Sequence, residues 1–384
     1  MSLRSATRNV VISLSIITIL FINQACQFAQ ENTKNTASEN YKIENDLIDN
    51  PTPLDMVVEQ VHILYLNSNG LLSGPLSALE YNGLHYVADL GAPNVYIYNK
   101  EGKKIGDFKS LNSGENEGTF FFISQFWRHN EELYLYDATS ASIYIFDIKG
   151  LFKKKIRVKI TNATSVIGDD GNYYFDMNRM PPFGLKNSLH NIEVFNNQME
   201  HVKSLDPFKY QLPFNTGAGL SNFNKLDDQL FYHQPHSETI YRISKRDLKP
   251  AFNIDFGESW LLRDETLLDG LSQNEFLKLT NNPEKVASFN SWVSTDYLLL
   301  QPLKKGHINH ILIDRNDGLI QGFIFGTDSV PFTVLEWVDN RLLVSANPKQ
   351  LKQILSALRG SNIPFNESGE SLTGSFGLIW IEFK

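Results

Sequence analysis

From Leu84 onward the chain repeats itself, and the interval of that repeat leaves few folds open. Four short alternating strands align: Val95-Tyr96-Ile97-Tyr98, Ile143-Tyr144-Ile145-Phe146, Ile192-Glu193-Val194-Phe195 and Ile240-Tyr241-Arg242-Ile243. Their last residues stand 48, 49 and 48 positions apart. A fifth copy, His310-Ile311-Leu312-Ile313, follows after 70, and the excess lies between about Glu258 and Glu284. A unit of this length made of short alternating strands reads as a propeller blade, not as a sandwich or a helical solenoid. The 26 Phe and 15 Tyr agree, because aromatic side chains pack well on pleated surfaces.

Counting strands fixes the number of blades. A blade has four strands, A to D from the central channel outward. Five blades complete this count between about Gly74 and Gly326. The sixth offers Phe332 to Val338, Arg341 to Ala346 and Phe376 to Phe383, and then the chain ends. The segment Glu59 to Leu66 (EQVHILYL) is strand-like and supplies the missing outer strand, which covers a sheet edge that would otherwise invite aggregation. The expectation is an all-β, six-bladed β-propeller of four-stranded blades, the last closed by the N-terminal strand.

The N-terminus has a different character. Arg4 and Arg8 precede an apolar run from Val10 to Ile22, and Ala25 stands before Cys26, the only cysteine. This is the layout of an export signal, and the run is too short for the ~20 residues of a membrane span. It resembles a bacterial lipoprotein signal, in which the cysteine is lipidated and becomes the mature N-terminus, although Asn23 and Gln24 stand where that family prefers an aliphatic and a small residue. An ordinary signal peptide or an uncleaved anchor is the alternative. The polar stretch that follows lacks periodicity and reads as a tether. The chain thus divides into a signal peptide (1–25), a lipidated Cys26 with a flexible tether (26–55) and the propeller (56–384). The net charge of −8 argues against nucleic acid as a partner.

Several features together resemble the six-bladed propeller lipoproteins of Gram-negative bacteria, related in fold to NHL and TolB-like propellers. They are Cys26, the rhythm of Tyr86 to Gly102, and the loop Gly114-Glu115-Asn116-Glu117-Gly118, which lacks the proline usual in such loops. The resemblance implies export and lipid anchoring to the envelope, at the outer membrane, and it implies no assigned activity.

Loop lengths locate the expected site. The A-to-B and C-to-D turns are minimal. The long connections, Leu205 to Ser221, Gly257 to Ala287, Met177 to Leu189, Pro302 to Ile308 and Asn347 to Ser375, fall on the opposite face, where a rigid scaffold carries binding residues. Two of them read as containing helices, Glu265 to Leu279 and Pro348 to Arg359, the second capped by Asn347 and stopped at Gly360. Candidate ligand-binding residues there are Arg179, Phe183, Tyr210, His233, His236, Trp260, Arg263 and His307, a set that suits a glycan, peptide or envelope protein.

Metal motifs are weak. The pairs His233/His236 and His307/His310 have ligand-like spacing, but residues three apart on a strand face opposite ways, so ordinary loop or core histidines are the better reading. Asp314-x-Asn316-x-Gly318 is a fragment of a calcium loop that a tight turn explains. Asp89, Asp137 and Asp176 close B strands and suit a structural role. The expected function is therefore a monomeric, non-catalytic binding or scaffolding propeller without cofactor. The alternative, which the resemblance to six-bladed propellers implies, is a metal-dependent hydrolase or lyase, lactonase-like and using calcium, with its site in the central channel and ligands scattered over blades, such as Glu80, Asn222 and Asp176.

Overall fold

The computed structural model describes residues 38–67, 71–90, 92–108, 120–185, 188–212, 221–325, 332–371 and 374–384. Six sheets of four or five strands follow one another around a ring. Blade 1 runs from Leu76–Tyr81 (strand A) to Lys104–Asp107 (D), blade 2 from Gln125–His129 to Phe152–Arg157, and blade 3 from Ser165–Asp169 to His201–Pro207. Blade 4 spans Phe223–Leu226 to Asp247–Asp255, and blade 5 spans Val286–Val293 to Ile320–Phe323. Blade 6 takes Thr333–Val338, Arg341–Ala346 and Phe376–Phe383 from the C-terminal end of the chain and Val58–Leu66 from the other end. That fourth strand pairs antiparallel with Phe376–Phe383, Val61 opposite Ile381 and Leu64 opposite Leu378, so the ring closes as its sequence predicts.

The turns explain the regularity. Asn82 and Gly83 in blade 1, Asp170 and Gly171 in blade 3, and Asp339 and Asn340 in blade 6 all have positive φ, the geometry of the two-residue hairpins that match strand twist. In the C-to-D turns one side-chain oxygen caps the loop. Asn99 accepts from Glu101 and Lys103 N–H, Asp147 from Lys149 and Leu151, and Asn196 from Gln198 and Glu200. Asp314 does the same for Asn316 at 2.7 Å, which makes the calcium-like fragment a turn.

The core lies between blades. Leu64, Leu66, Leu378 and Trp380 of blade 6 pack with Leu76, Val87, Tyr96 and Tyr98 of blade 1, which seals the seam where the two chain ends meet. Equivalent layers join the other blades. Asp89, Asp137 and Asp176 have the structural role expected of them. Asp137 accepts from Thr139 and Ser140 N–H after its strand and from Phe121 N–H before its blade, tying two connections to one carboxylate. Asp89 holds Ser73 in the same way.

Four expectations need correction. The segment read as a tether joins the fold from Ser38 on; residues 26–37, with Cys26, and the loop 114–118 lie outside the described residues. Glu39–Lys42 adds a parallel fifth strand to blade 4, and short helices at Asn45–Asp49 and Leu54–Val57 cross blade 5 before the closing strand begins. Buried Ile43 and Ile48, the Arg315–Glu39 pair at 2.8 Å and the Lys304–Asp49 pair at 2.8 Å hold this belt. A run of mostly polar residues stays in place because backbone pairing and a few anchors suffice. Secondly, Glu265 to Leu279 is not one helix: a 3-10 turn at Glu265–Leu268 is separated from the helix Gln273–Thr280 by Gly270 at φ 67 and a Ser272–Glu275 capping box. Thirdly, Pro302 to Ile308 is no long loop, because Tyr297–Lys304 continues into a hairpin with His307–Ile308. Lastly, Phe365–Ser368 adds a parallel fifth strand outside Val58–Leu66. The helix Pro348–Arg359 forms as expected, capped by Asn347, with Leu351, Ile354 and Leu358 buried on the propeller.

Candidate functional site

The expected ligand residues do not assemble into one open site. Arg179 is buried, with 5 % of its side chain exposed, and its guanidinium pairs with Glu265 at 2.6 Å, fastening the blade 4–5 insertion to blade 3. His233 and His236 are buried too. Their rings bond the carbonyls of Ser237 and Ala287, and burial pushes both imidazoles down to about 4. His233 lies against Phe289 and His236 against Phe276. Trp260 is buried between Phe256 and Phe289, and Tyr210 packs at the edge of the same core. Arg263 is exposed and paired with Glu258 at 2.7 Å, Phe183 is 70 % exposed on blade 3, and His307 sits on the exposed hairpin of blade 5. His310 is buried against Phe332 while His307 is exposed, so these two do not share one environment.

The scattered calcium set also separates. Asp176 accepts from Asn222 at 2.8 Å and from Tyr232 at 3.0 Å, with Thr164 and Asn178 completing its shell, which leaves its carboxylate committed between blades 3 and 4. Glu80 lies elsewhere, in the channel, where Trp380 Nε1 donates to it at 3.0 Å. No group of three or more His, Cys, Asp or Glu placed to hold a metal occurs among the described residues.

Among the described residues the channel itself offers space to a ligand. A cavity of about 900 Å³ is lined by A strands, and its rim is made by the minimal A-to-B turns, including Asn82, Asn130, Asp227 and Asn340. None of the candidate residues from the long loops lines it. An A strand has neighbours on one side only, so its polar side chains can reach the channel water without opening the blade. The charged ones recur: Glu80, Arg128 and Lys225 each stand two residues before the first left-handed residue of their turn, Asn82, Asn130 and Asp227.

Each of these charges is pinned by a distinct neighbour. Lys225 pairs with Asp169 at 2.7 Å. The Arg128 guanidinium lies 4.3 Å above the Tyr81 ring, and its Nη1 donates to Asn130 O at 2.8 Å; no carboxylate is within ion-pair distance of it among the described residues. Glu336, three residues before Asp339 in blade 6, accepts from Glu80 N–H at 3.3 Å. Protein surrounds its carboxyl while channel water reaches part of it. That confinement, reinforced by the neighbouring Glu80 and opposed by Arg128, pushes it up to about 7 from an ordinary value of 4.5. Arg128 and Glu336 are the channel groups that motif reading misses; the signal available was the charge repeated just before the A-to-B turns of blades 1, 2 and 4.

Six blades of this strand order around a polar, charge-lined channel define the class: a six-bladed β-propeller with its accessible cavity on the axis. Within that class the chain belongs to the DUF5128 6-bladed beta-propeller family, whose model matches residues 31–323. It is similar to the structure of a protein from Bacteroides fragilis described as exported, with a TM-score of 0.71 and 16% identity over 91% of this chain and 100% of that one. A DUF4221 family member from Bacteroides vulgatus aligns at TM-score 0.49 and 12% identity, covering 85% of this chain and 97% of that one. A streptogramin B lyase aligns at TM-score 0.44 and 10% identity, covering 84% and 98%. No curated protein matches the chain in sequence. No helix among the described residues is long and apolar enough to cross a membrane.

Proposed function

We propose that this chain is an exported, lipid-anchored binding propeller that takes a small polar ligand into its central channel. The observation that carries the reading is the channel of about 900 Å³ with charged and polar side chains on its wall, at the upper end of the size range of small-molecule sites. The long-loop face, by contrast, spends Arg179, Tyr210, His233, His236 and Trp260 on its own packing. Export is supported by the signal-like N-terminus and by the likeness to a protein described as exported.

Ligand binding is tested by thermal shift against a pool of polar metabolites, comparing the wild type with Ser77→Trp, which fills the channel from blade 1. A stabilisation seen only in the wild type is expected; no shift with any compound sinks the channel reading. Anchoring is tested separately. Cys26→Ala is expected to release the protein into the soluble fraction, and unchanged membrane retention contradicts the lipid.

A catalytic reading has one observation in its favour. Glu336, near 7, is tuned for general acid–base work, and turnover of a bound compound that disappears in Glu336→Gln would establish it.

A further inference from the structure

Three adjacent blades place opposite charges in one sector of the channel and keep them from meeting. Glu336 comes from blade 6, Glu80 from blade 1 and Arg128 from blade 2. An arginine and carboxylates on neighbouring strands of one channel attract each other, and Arg128, although exposed, pairs with neither of the two. Here each is held by a neutral group instead. Tyr81 and the carbonyl of Asn130 hold Arg128, the Trp380 indole holds Glu80, and the Glu80 N–H holds Glu336. Trp380 is itself fixed between His62 and His85, with ring centroids 5.4 and 5.3 Å away. The Arg128 fork keeps most of its N–H donors unspent, and one oxygen of Glu80 remains beyond the bond to Trp380.

A charge separation maintained this way fits a ligand that carries both signs. We infer that the channel binds an amino-carboxylate zwitterion, a free amino acid or short peptide, with its carboxylate on Arg128 and its ammonium between Glu80 and Glu336. This deepens the channel-binding reading and rests on it. Planar guanidinium recognition of a carboxylate is bidentate and directional, and a fork held over Tyr81 and bonded to Asn130 O is positioned before the ligand arrives. The acidic turn residues Asp227 and Asp228 belong to blade 4, across the ring from blade 1, and are exposed at the mouth, where water screens them.

The site also links binding to protons. The charged or titratable groups on the elements around Glu336 are Glu80 and Tyr81 on strand A of blade 1, Arg128 and His129 on blade 2, and Asp339 and Arg341 in its own blade; Val286–Val293 of blade 5 has none. With its carboxyl near 7, Glu336 is about half protonated in the free protein at neutral pH. An arriving ammonium favours the ionised form, so binding releases a proton and tightens as pH rises toward 8.

Calorimetry on the intact protein with diglycine, N-acetylglycine and glycinamide tests this. Diglycine is expected to bind at least about tenfold more tightly than either single-charge analogue, as the loss of one charged hydrogen-bonding partner implies. Below pH 7 its affinity is expected to fall by up to about tenfold per pH unit, for one linked proton. Arg128→Gln removes the advantage over glycinamide, and Glu336→Gln flattens the pH profile, while both keep the wild-type circular dichroism. Equal binding of the three compounds, or a pH profile unchanged in Glu336→Gln, overturns the inference. If none of them binds while the metabolite pool still stabilises the wild type, the inference fails and the channel reading stands.

Discussion

Glu336→Gln makes a sharp test of the channel because its effect on stability changes with pH and is absent at one end of the range. In the folded protein confinement raises the carboxyl from 4.5 to about 7, whereas the unfolded chain ionises it at its ordinary value. Below pH 4.5 both states are protonated there, and the group makes no pH-dependent difference. Between pH 4.5 and 7 the unfolded chain loses its proton and the folded protein does not, so ionisation drains stability as the pH rises. The drain levels off above pH 7. At about 1.4 kcal/mol per pH unit the full linkage is ~3 kcal/mol, and contact with channel water reduces this to ~1–2 kcal/mol. Gln has the same shape and can still accept from Glu80 N–H, but it cannot ionise. Urea unfolding followed by tryptophan fluorescence is therefore expected to find the variant equal to wild type at pH 4.5 and ~1–2 kcal/mol more stable at pH 8. Parallel stability profiles across that range would refute the confinement argument, whatever their absolute values.

Three further outcomes follow from the packing. A Cβ on Gly322 would lie 1.9 Å from Leu47 O, so Gly322→Val is expected to lift the belt and expose residues 38–57 to limited proteolysis while the blades stay folded; resistance to cleavage contradicts this. Asp176→Ala strands the donors of Thr164, Asn178, Asn222 and Tyr232 in a buried site and is expected to cost about 3–5 kcal/mol in denaturant titration; a cost below ~1 kcal/mol would mean that water replaces the carboxylate. Burial lowers His233 and His236 to about 4 and His310 to about 3, so stability present above pH 6.5 is lost as the pH falls and the unfolded chain takes up protons first. His310→Phe, which keeps the stacking on Phe332, is expected to lower the midpoint of acid unfolding followed by circular dichroism, and an unmoved midpoint counts against it.

The ring was legible because a propeller writes itself into the sequence at a fixed interval. Tyr98, Phe146, Phe195 and Ile243 occupy equivalent places in four blades, and Glu59 to Leu66 has the alternation needed to pack on both sides. What escaped was structure that leaves no periodic trace. Glu39–Lys42 and Phe365–Ser368 (ENYK and FNES) are held at sheet edges by backbone bonds, so their side chains need no alternation. The helical spacing of Glu265 to Leu279 was real in pattern but is interrupted by Gly270 and the Ser272 cap, a local signal that outweighs apolar periodicity. The channel site is harder still. Glu80, Arg128 and Glu336 are single residues far apart in the chain, gathered only by ring closure, while the aromatic and basic residues of the long loops look like a site and are mostly engaged in holding those loops down.

The belt places the origin of the closing strand away from the seam it closes. Among the described residues the chain enters the molecule at Glu39, on the outer edge of blade 4, two blades before Val58–Leu66. Tension applied at that point would first load the pairing of Glu39–Lys42 with blade 4, then the Arg315 and Lys304 ion pairs in turn. The strand whose departure would open the ring is therefore last in line, shielded from mechanical work by residues that contribute little to the shape of the propeller.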